Sequence, residues 1–237
     1  MRILFVADVF GVPGRRAVEE RLPTLREELA ADFCVVNGEN AADGAGITPR
    51  IADRILAAGA DVITLGNHVW RRPEIGPYLA ESERVIRPAN VSAGSPGRGL
   101  TVAPAADGTP VAVINLLGRL FIDPAVGPFE VVDELVDEAR KRAQVVVVDF
   151  HAEATSEKVA LPRWLDGRVT AVIGTHTHVQ TNDARVGVQA DLAIARMRTG
   201  MPVRFKPAQG GVRIEGVLVE CGADGRATGC ASVRVEA

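Results

Sequence analysis

Short apolar runs alternate with amphipathic stretches along the first third of the chain. Residues 3–7, 33–37 and 61–65 are rich in Val, Ile, Leu and Phe, and the intervening 15–29 and 49–58 place apolar residues at helical spacing, which predicts β-α-β-α-β. Runs without polar alternation predict strands buried on both faces, as in a parallel sheet flanked by helices. The second helix is bounded by Thr48 and Pro49, an N-cap and N1 pair, and by Gly59 as its stop. Further strands are predicted over 84–90, 100–103 and 111–117, separated by Pro- and Gly-rich turns at 95–99 and 105–110.

A helix over 130–142, with Val131, Val132, Leu135, Val136 and Ala139 at helical spacing, leads into a strand over 144–150. A short helix starts near Ser156, and a strand follows over 169–173. Residues 203–205, 212–220 and 231–235 are β-type segments joined by Gly-rich turns, read as a late antiparallel addition to the sheet system. Neither a repeat nor a low-complexity linker marks a boundary, so one domain over 1–237 is expected.

Composition narrows the classes. Of 237 residues, 47% are hydrophobic and 24% charged, which describes a globular protein with a sizeable core. A net charge of -3 with 4% aromatics supplies neither the basic surface nor the stacking platform of a nucleic-acid-coating protein, so no stable nucleic-acid complex is expected. Apolar runs fall short of a membrane span and of a signal peptide, so no membrane association and a cytoplasmic location are expected. Cys34, Cys221 and Cys230 form no C-x-x-C pair; neither a disulfide framework nor a zinc knuckle is indicated.

The chemistry gathers at predicted strand ends. Asp8 closes the first, Glu39 and Asn40 follow the second, Asn67 and His68 the third, His151 the run 144–150, and His176 and His178 the run 169–173. Ligands of α/β sheets bind outside the carboxyl ends of the strands, so these groups should meet in one crevice. All four histidines of the chain are among them, which points to a metal cluster rather than to isolated structural imidazoles. Imidazole and carboxylate without thiolate suit iron, manganese or zinc, and the surplus of ligands suits two ions sharing a carboxylate. Residues two apart in an extended segment share a face, so His176 and His178 can reach one cluster.

Other residues carry weaker signals. Gly11, Pro13, Gly14, Arg15 and Arg16 open the first helix in the manner of a phosphate site, although the arginines read better as solvated helix residues. Asp61 reads as the start of its strand, Asp149 and Glu153 as partners that orient imidazoles, and Asp43 as a further acid near the crevice. Trp70 and Trp164 are read as core, with Trp70 the better substrate wall of the two.

Gly66-Asn67-His68 and Gly174-Thr175-His176-Thr177-His178 resemble the Gly-Asn-His and Gly-His-x-His motifs of the calcineurin-like metallophosphoesterase superfamily. Three longer stretches resemble its bacterial 2′,3′-cyclic-nucleotide 2′-phosphodiesterase branch: residues 37–42, residues 87–90 (Arg-Pro-Ala-Asn) and residues 149–158. The resemblance implies a four-layer α/β/β/α sandwich with a mostly parallel first sheet and antiparallel C-terminal strands. It implies Asp8, Glu39, Asn40 and His178 on one ion and Glu39, Asn67, His151 and His176 on the other, with iron or manganese as the metals. His68 is then the free acid that protonates the leaving oxygen while an activated water attacks phosphorus.

Asp8-Val9-Phe10 lacks the His of the superfamily's Asp-x-His, and Glu39 stands where Asp is usual; both changes fit the branch, with Asn40 replacing the lost ligand. After residues 183–186 the branch implies a Gly-rich loop with an aromatic and a Thr-Asp, whereas this chain passes to Gly187 and a helix-like stretch over 189–198. Substrate-binding residues therefore remain unassigned. The expected partner is a small cyclic nucleotide, with a homo-oligomer as a further expectation. The alternatives are a broad-specificity phosphomonoesterase or phosphodiesterase, and a low-activity nucleotide-binding regulatory protein.

Overall fold

A computed structural model describes residues 1–122, 124–178 and 212–236. Among the described residues, ten strands form two sheets. The first runs β1 (Arg2–Val6), β2 (Phe33–Asn37), β3 (Val62–Thr64) and β4 (Val85–Ile86) in parallel, and β9 (Arg213–Cys221) and β10 (Ala227–Glu236) extend it antiparallel from the β1 edge. In the second, β6 (Pro110–Leu117), β7 (Val145–His151) and β8 (Ala171–Thr175) are parallel, and β5 (Leu100–Pro104) is an antiparallel edge.

Side-chain alternation explains the layering. Leu4 and Val6 of β1 pack with residues of α1 (Gly11–Glu28), α2 (Pro49–Ala57) and α3 (Ile75–Glu81), whereas Ile3 and Phe5 turn the other way onto Val111, Val113, Val145 and Val147 of the second sheet. The far face of that sheet is covered by α4 (Pro128–Arg140) and α5 (Thr155–Trp164). Each central strand is buried on both faces, which is why its sequence reads as continuous Val and Ile. The result is the expected four-layer α/β/β/α sandwich with antiparallel C-terminal strands.

Local chemistry sets the boundaries. Thr48 Oγ1 accepts from Ile51 N at the start of α2, and Gly59, at φ +110°, ends it. The strand expected over 84–90 stops at Ile86, because Pro88 has no N–H to give and the buried Arg87 guanidinium donates to the Pro88, Ser95 and Pro96 carbonyls. The strand expected from 169 begins at Ala171; Thr170 Oγ1 instead accepts from Val146 N and donates to the Gly225 carbonyl. Helix α3 and a 3-10 turn at Val69–Arg71 lack a sequence signal: with Gly76 and Pro77 in its first turn, α3 buries only Ile75 and Leu79. The helix expected over 189–198 and the strand over 203–205 lie outside the described residues. Among the described residues, no helix is long and apolar enough to cross a membrane.

Candidate metal centre

Five strand ends from both sheets converge. Asp8, Glu39, Asn40, Asn67 and His68 follow β1, β2 and β3 of the first sheet; His151 ends β7 and His176 and His178 follow β8 of the second. Every sequence-derived candidate is brought into this one group. The ligand atoms of Glu39, His151 and His176 lie within 4.8 Å of one another.

His151 Nε2 is the centre of one cluster, 3.0 Å from Asn67 Oδ1, 3.1 Å from His176 Nδ1 and 3.2 Å from Glu39 Oε1. Its tautomer is set from behind. The Thr175 hydroxyl donates to Asp149 Oδ1 (2.6 Å), leaving its oxygen to accept from His151 Nδ1 (2.9 Å), and Asn37 Nδ2 holds the other Asp149 oxygen (2.8 Å). The ring proton therefore sits on Nδ1, and Nε2 presents a lone pair to an amide oxygen and a carboxylate. Atoms bound about 2.1 Å from one cation lie about 3 Å apart, so these spacings are compatible with a shared ion as well as with hydrogen bonds.

Around Glu39 a second cluster forms. Glu39 Oε1 accepts from Asn40 Nδ2 (2.8 Å), which also faces His178 Nε2 (3.0 Å); His178 Nε2 is 3.6 Å from Asp8 Oδ2, and Asp8 Oδ2 accepts from His176 N (2.8 Å). Asp8 Oδ1 is buried without a hydrogen-bond partner among the described residues, an orphan that a cation would satisfy. Asn40 Oδ1 lies 2.8 Å from His68 Nδ1, and Glu39 Oε2 accepts from His68 N (3.1 Å). The donor set and the orphaned carboxylate oxygen fit divalent metal ions.

Electrostatics agree. Burial opposes charge on Glu39, yet His151 and His68 beside it hold its carboxyl well below the usual range. Burial likewise disfavours a charged His151, but Glu39 outweighs it and takes the imidazole up to about 9. A second proton on that ring is what the cluster takes when hydrogen ions are the only cations present, and a metal competes for the same lone pair. Asp149, pushed up to about 6 by burial, stays anionic at neutral pH with help from His151 and its hydrogen-bond donors.

The backbone is adapted to the cluster. Among the described residues, six other than glycine have positive φ, and three of them are Asp8 (44°), His176 (89°) and His178 (55°). At Gly66 a Cβ would run into Glu39 Oε2 and His151 Nε2, so only glycine lets this turn close over the ligands.

Other sequence readings sort clearly. Glu153 Oε2 lies 2.9 Å from His176 Nε2 and orients that ring, and Asp149 acts on His151 through Thr175. Asp61 is structural, accepting from Cys34 N at 2.7 Å. Arg15 is not a solvated helix residue: it is half-buried and donates to the Ala41 carbonyl (3.0 Å), pinning the turn after Glu39. Asp43 is exposed and faces Arg15 and Arg72 instead of the cluster. Trp70 and Trp164 are not core; they are 38% and 54% exposed. Sequence reasoning missed Asn37, Thr175 and Lys158, whose ammonium donates to Thr177 Oγ1 between the two histidines (2.9 Å). A polar residue ending a doubly buried apolar run was the available signal for Asn37.

A two-sheet sandwich with strand-end histidines, carboxylates and asparagines is the architecture of a metal-dependent phosphoesterase. Residues 4–187 match the family described as YmdB-like protein, and the chain belongs to that family. The match ends where the sequence departs from the expected loop. The 2′,3′-cyclic-nucleotide 2′-phosphodiesterase of Bacillus subtilis is 44% identical over 241 residues, covering 93% of this chain and 91% of that protein. The crystal structure of a hypothetical protein from Thermus thermophilus superposes with a TM-score of 0.88 at 38% identity, over 100% of this chain and 99% of the other. That of a novel phosphatase from Mycoplasma pneumoniae gives 0.87 at 27% identity, over 100% and 93%.

Proposed function

We propose that the protein is a phosphodiesterase with a two-metal centre that hydrolyses 2′,3′-cyclic nucleotides at the 2′ oxygen. The observation that carries this reading is the Glu39 carboxylate, which stands between a cluster of Asn67, His151 and His176 and a cluster of Asp8, Asn40 and His178. Glu39 would bridge the ions, and nitrogen and oxygen donors without thiolate suit iron or manganese. Once bound, the ions supply charge neutralisation for the phosphoryl oxygens and a water acidified into the neutral range.

The chain's own groups do the rest. To hold an ion Asn40 would ligate through its oxygen, the reverse of the amide orientation in which Oδ1 faces His68 Nδ1 and Nδ2 faces Glu39 and His178. The amide nitrogen would then donate to His68 Nδ1, and the imidazole would carry its proton on Nε2, the atom that gives it to the departing ribose oxygen. Glu153 and the Asp149–Thr175 pair keep His176 and His151 aimed. The reading extends to one catalytic domain over 1–237, a cytoplasmic location, a small phosphorylated substrate with no stable nucleic-acid complex, and a homo-oligomer.

Metal content of protein purified without added metal, followed by hydrolysis of 2′,3′-cyclic AMP before and after chelation, tests it. Two metals per chain and chelator-sensitive turnover are expected; folded protein with neither overturns it. Phosphomonoesters belong in the same panel, because the Mycoplasma pneumoniae neighbour is described as a phosphatase.

A further inference from the structure

An open cleft of about 600 Å³ adjoins the metal centre, and Asn67 belongs to both: its side-chain oxygen faces His151 Nε2, and the residue lines the cleft. The opposite walls are aromatic and apolar, with Trp70, Val91, Phe121, Ile122 and Pro124. Among the described residues lining it, none carries a charge. A site with a metal-binding end and a neutral aromatic end matches a ligand with an anionic end and a flat uncharged one.

Phe121 has no structural reason to be where it is. It is 88% exposed and sits at φ +66°, a backbone region that bulky side chains rarely adopt. The described residues on either side of it are nonetheless firmly held. The buried Asn90 clamps both ends, donating to the Leu117 and Val126 carbonyls (2.8 and 3.0 Å) and accepting from Leu117 N (2.8 Å). The buried Glu157 accepts from Arg119 N and Leu120 N (2.8 and 3.0 Å), and Gly118 N donates to the His151 carbonyl (2.9 Å). Neither Asn90 nor Glu157 takes part in the metal cluster. Strain and exposure held by so many hydrogen bonds mark a tip kept for contact.

We propose that this cleft is the subsite for the base of a nucleotide, with Phe121 and Trp70 as its stacking walls; the inference rests on the phosphodiesterase reading. The geometry is chemically consistent with it. Trp70 follows His68 by two residues, and the ribose whose 2′ oxygen His68 protonates is the one that carries the base. Stacking on aromatic faces is tolerant of base identity because every base has a π-face.

The test compares 2′,3′-cyclic AMP with ethylene phosphate, which has the same five-membered cyclic diester and no base. In Phe121→Ala, kcat/KM for the nucleotide is expected to fall about tenfold or more beyond any fall for ethylene phosphate. Equal losses on both, or no loss on either, overturn the subsite. A binding readout separates this from the underlying reading: Trp164→Phe leaves Trp70 as the one tryptophan, and adenosine 3′-monophosphate should quench it where ribose 5-phosphate does not. Absence of quenching also overturns the subsite. Quenching in a protein that cleaves neither diester overturns the phosphodiesterase reading and leaves the subsite standing.

Discussion

His151 Nε2 and Asn67 Oδ1 face each other across 3.0 Å, and the Asp149–Thr175 pair holds a proton on the other ring nitrogen, which leaves Nε2 as the position where a metal would replace the second proton. Thr175→Val removes that arrangement while leaving the ligands in place. Metal affinity should fall on the order of 10- to 100-fold, with activity recovered at high metal. Metal titration of the stripped variant, beside its circular dichroism, reads this directly; unchanged affinity would show that the relay is ornamental to binding.

Glu39 contributes charge as well as shape. Glu39→Gln keeps the volume and loses the anion shared by both clusters, so metal content near zero with an intact fold is expected. Elemental analysis and circular dichroism decide the matter, and wild-type metal content with a wild-type rate sinks the bridging assignment.

His68 is tested by the leaving group. His68→Ala should retain metal and lose rate on the order of 10²- to 10⁴-fold with 2′,3′-cyclic AMP. With bis-p-nitrophenyl phosphate, whose p-nitrophenolate departs without a proton, the loss should be much smaller. Equal losses on both substrates would assign His68 to binding instead of proton donation.

The thiols offer a check on the core. Burial pushes the Cys34 thiol up to about 12, with Asp61 adding to it and Arg26 opposing, while Cys221 is buried and Cys230 exposed. A thiol reagent at mildly alkaline pH should modify one cysteine in the folded protein and three after denaturation. The folded pKa lies above the unfolded value of 9.0, so the contribution of Cys34 is fully present below pH 9 and is lost as pH rises toward 12. Urea melts across that window should show a shallower slope in Cys34→Ala than in the wild type, the remainder coming from groups such as Tyr78, whose hydroxyl is likewise pushed up to about 12 by burial.

Much of this was legible because period and burial agree. Residues 33–37 match β2 at both ends, since a doubly buried parallel strand leaves an uninterrupted apolar run. The ligands were legible for a related reason: a polar residue at the end of such a run has nowhere to go but the crevice. Helix α3 was not, because seven residues with two buried positions carry no period. Gly66 reads as an ordinary turn until the side chains of Glu39 and His151, from different sheets, are seen to press against it. The Phe121 tip had no signal at all, because its support comes from Asn90 and Glu157, both some 30 residues or more away in the chain.

The candidate ligands come from three strand ends of one sheet and two of the other. A half-formed molecule with a single sheet therefore has an incomplete grip on any ion, and tight capture waits until both halves have closed face to face. On the proposed two-metal reading, bound metal would act as a clasp across that seam, so that loading it would report that folding is finished.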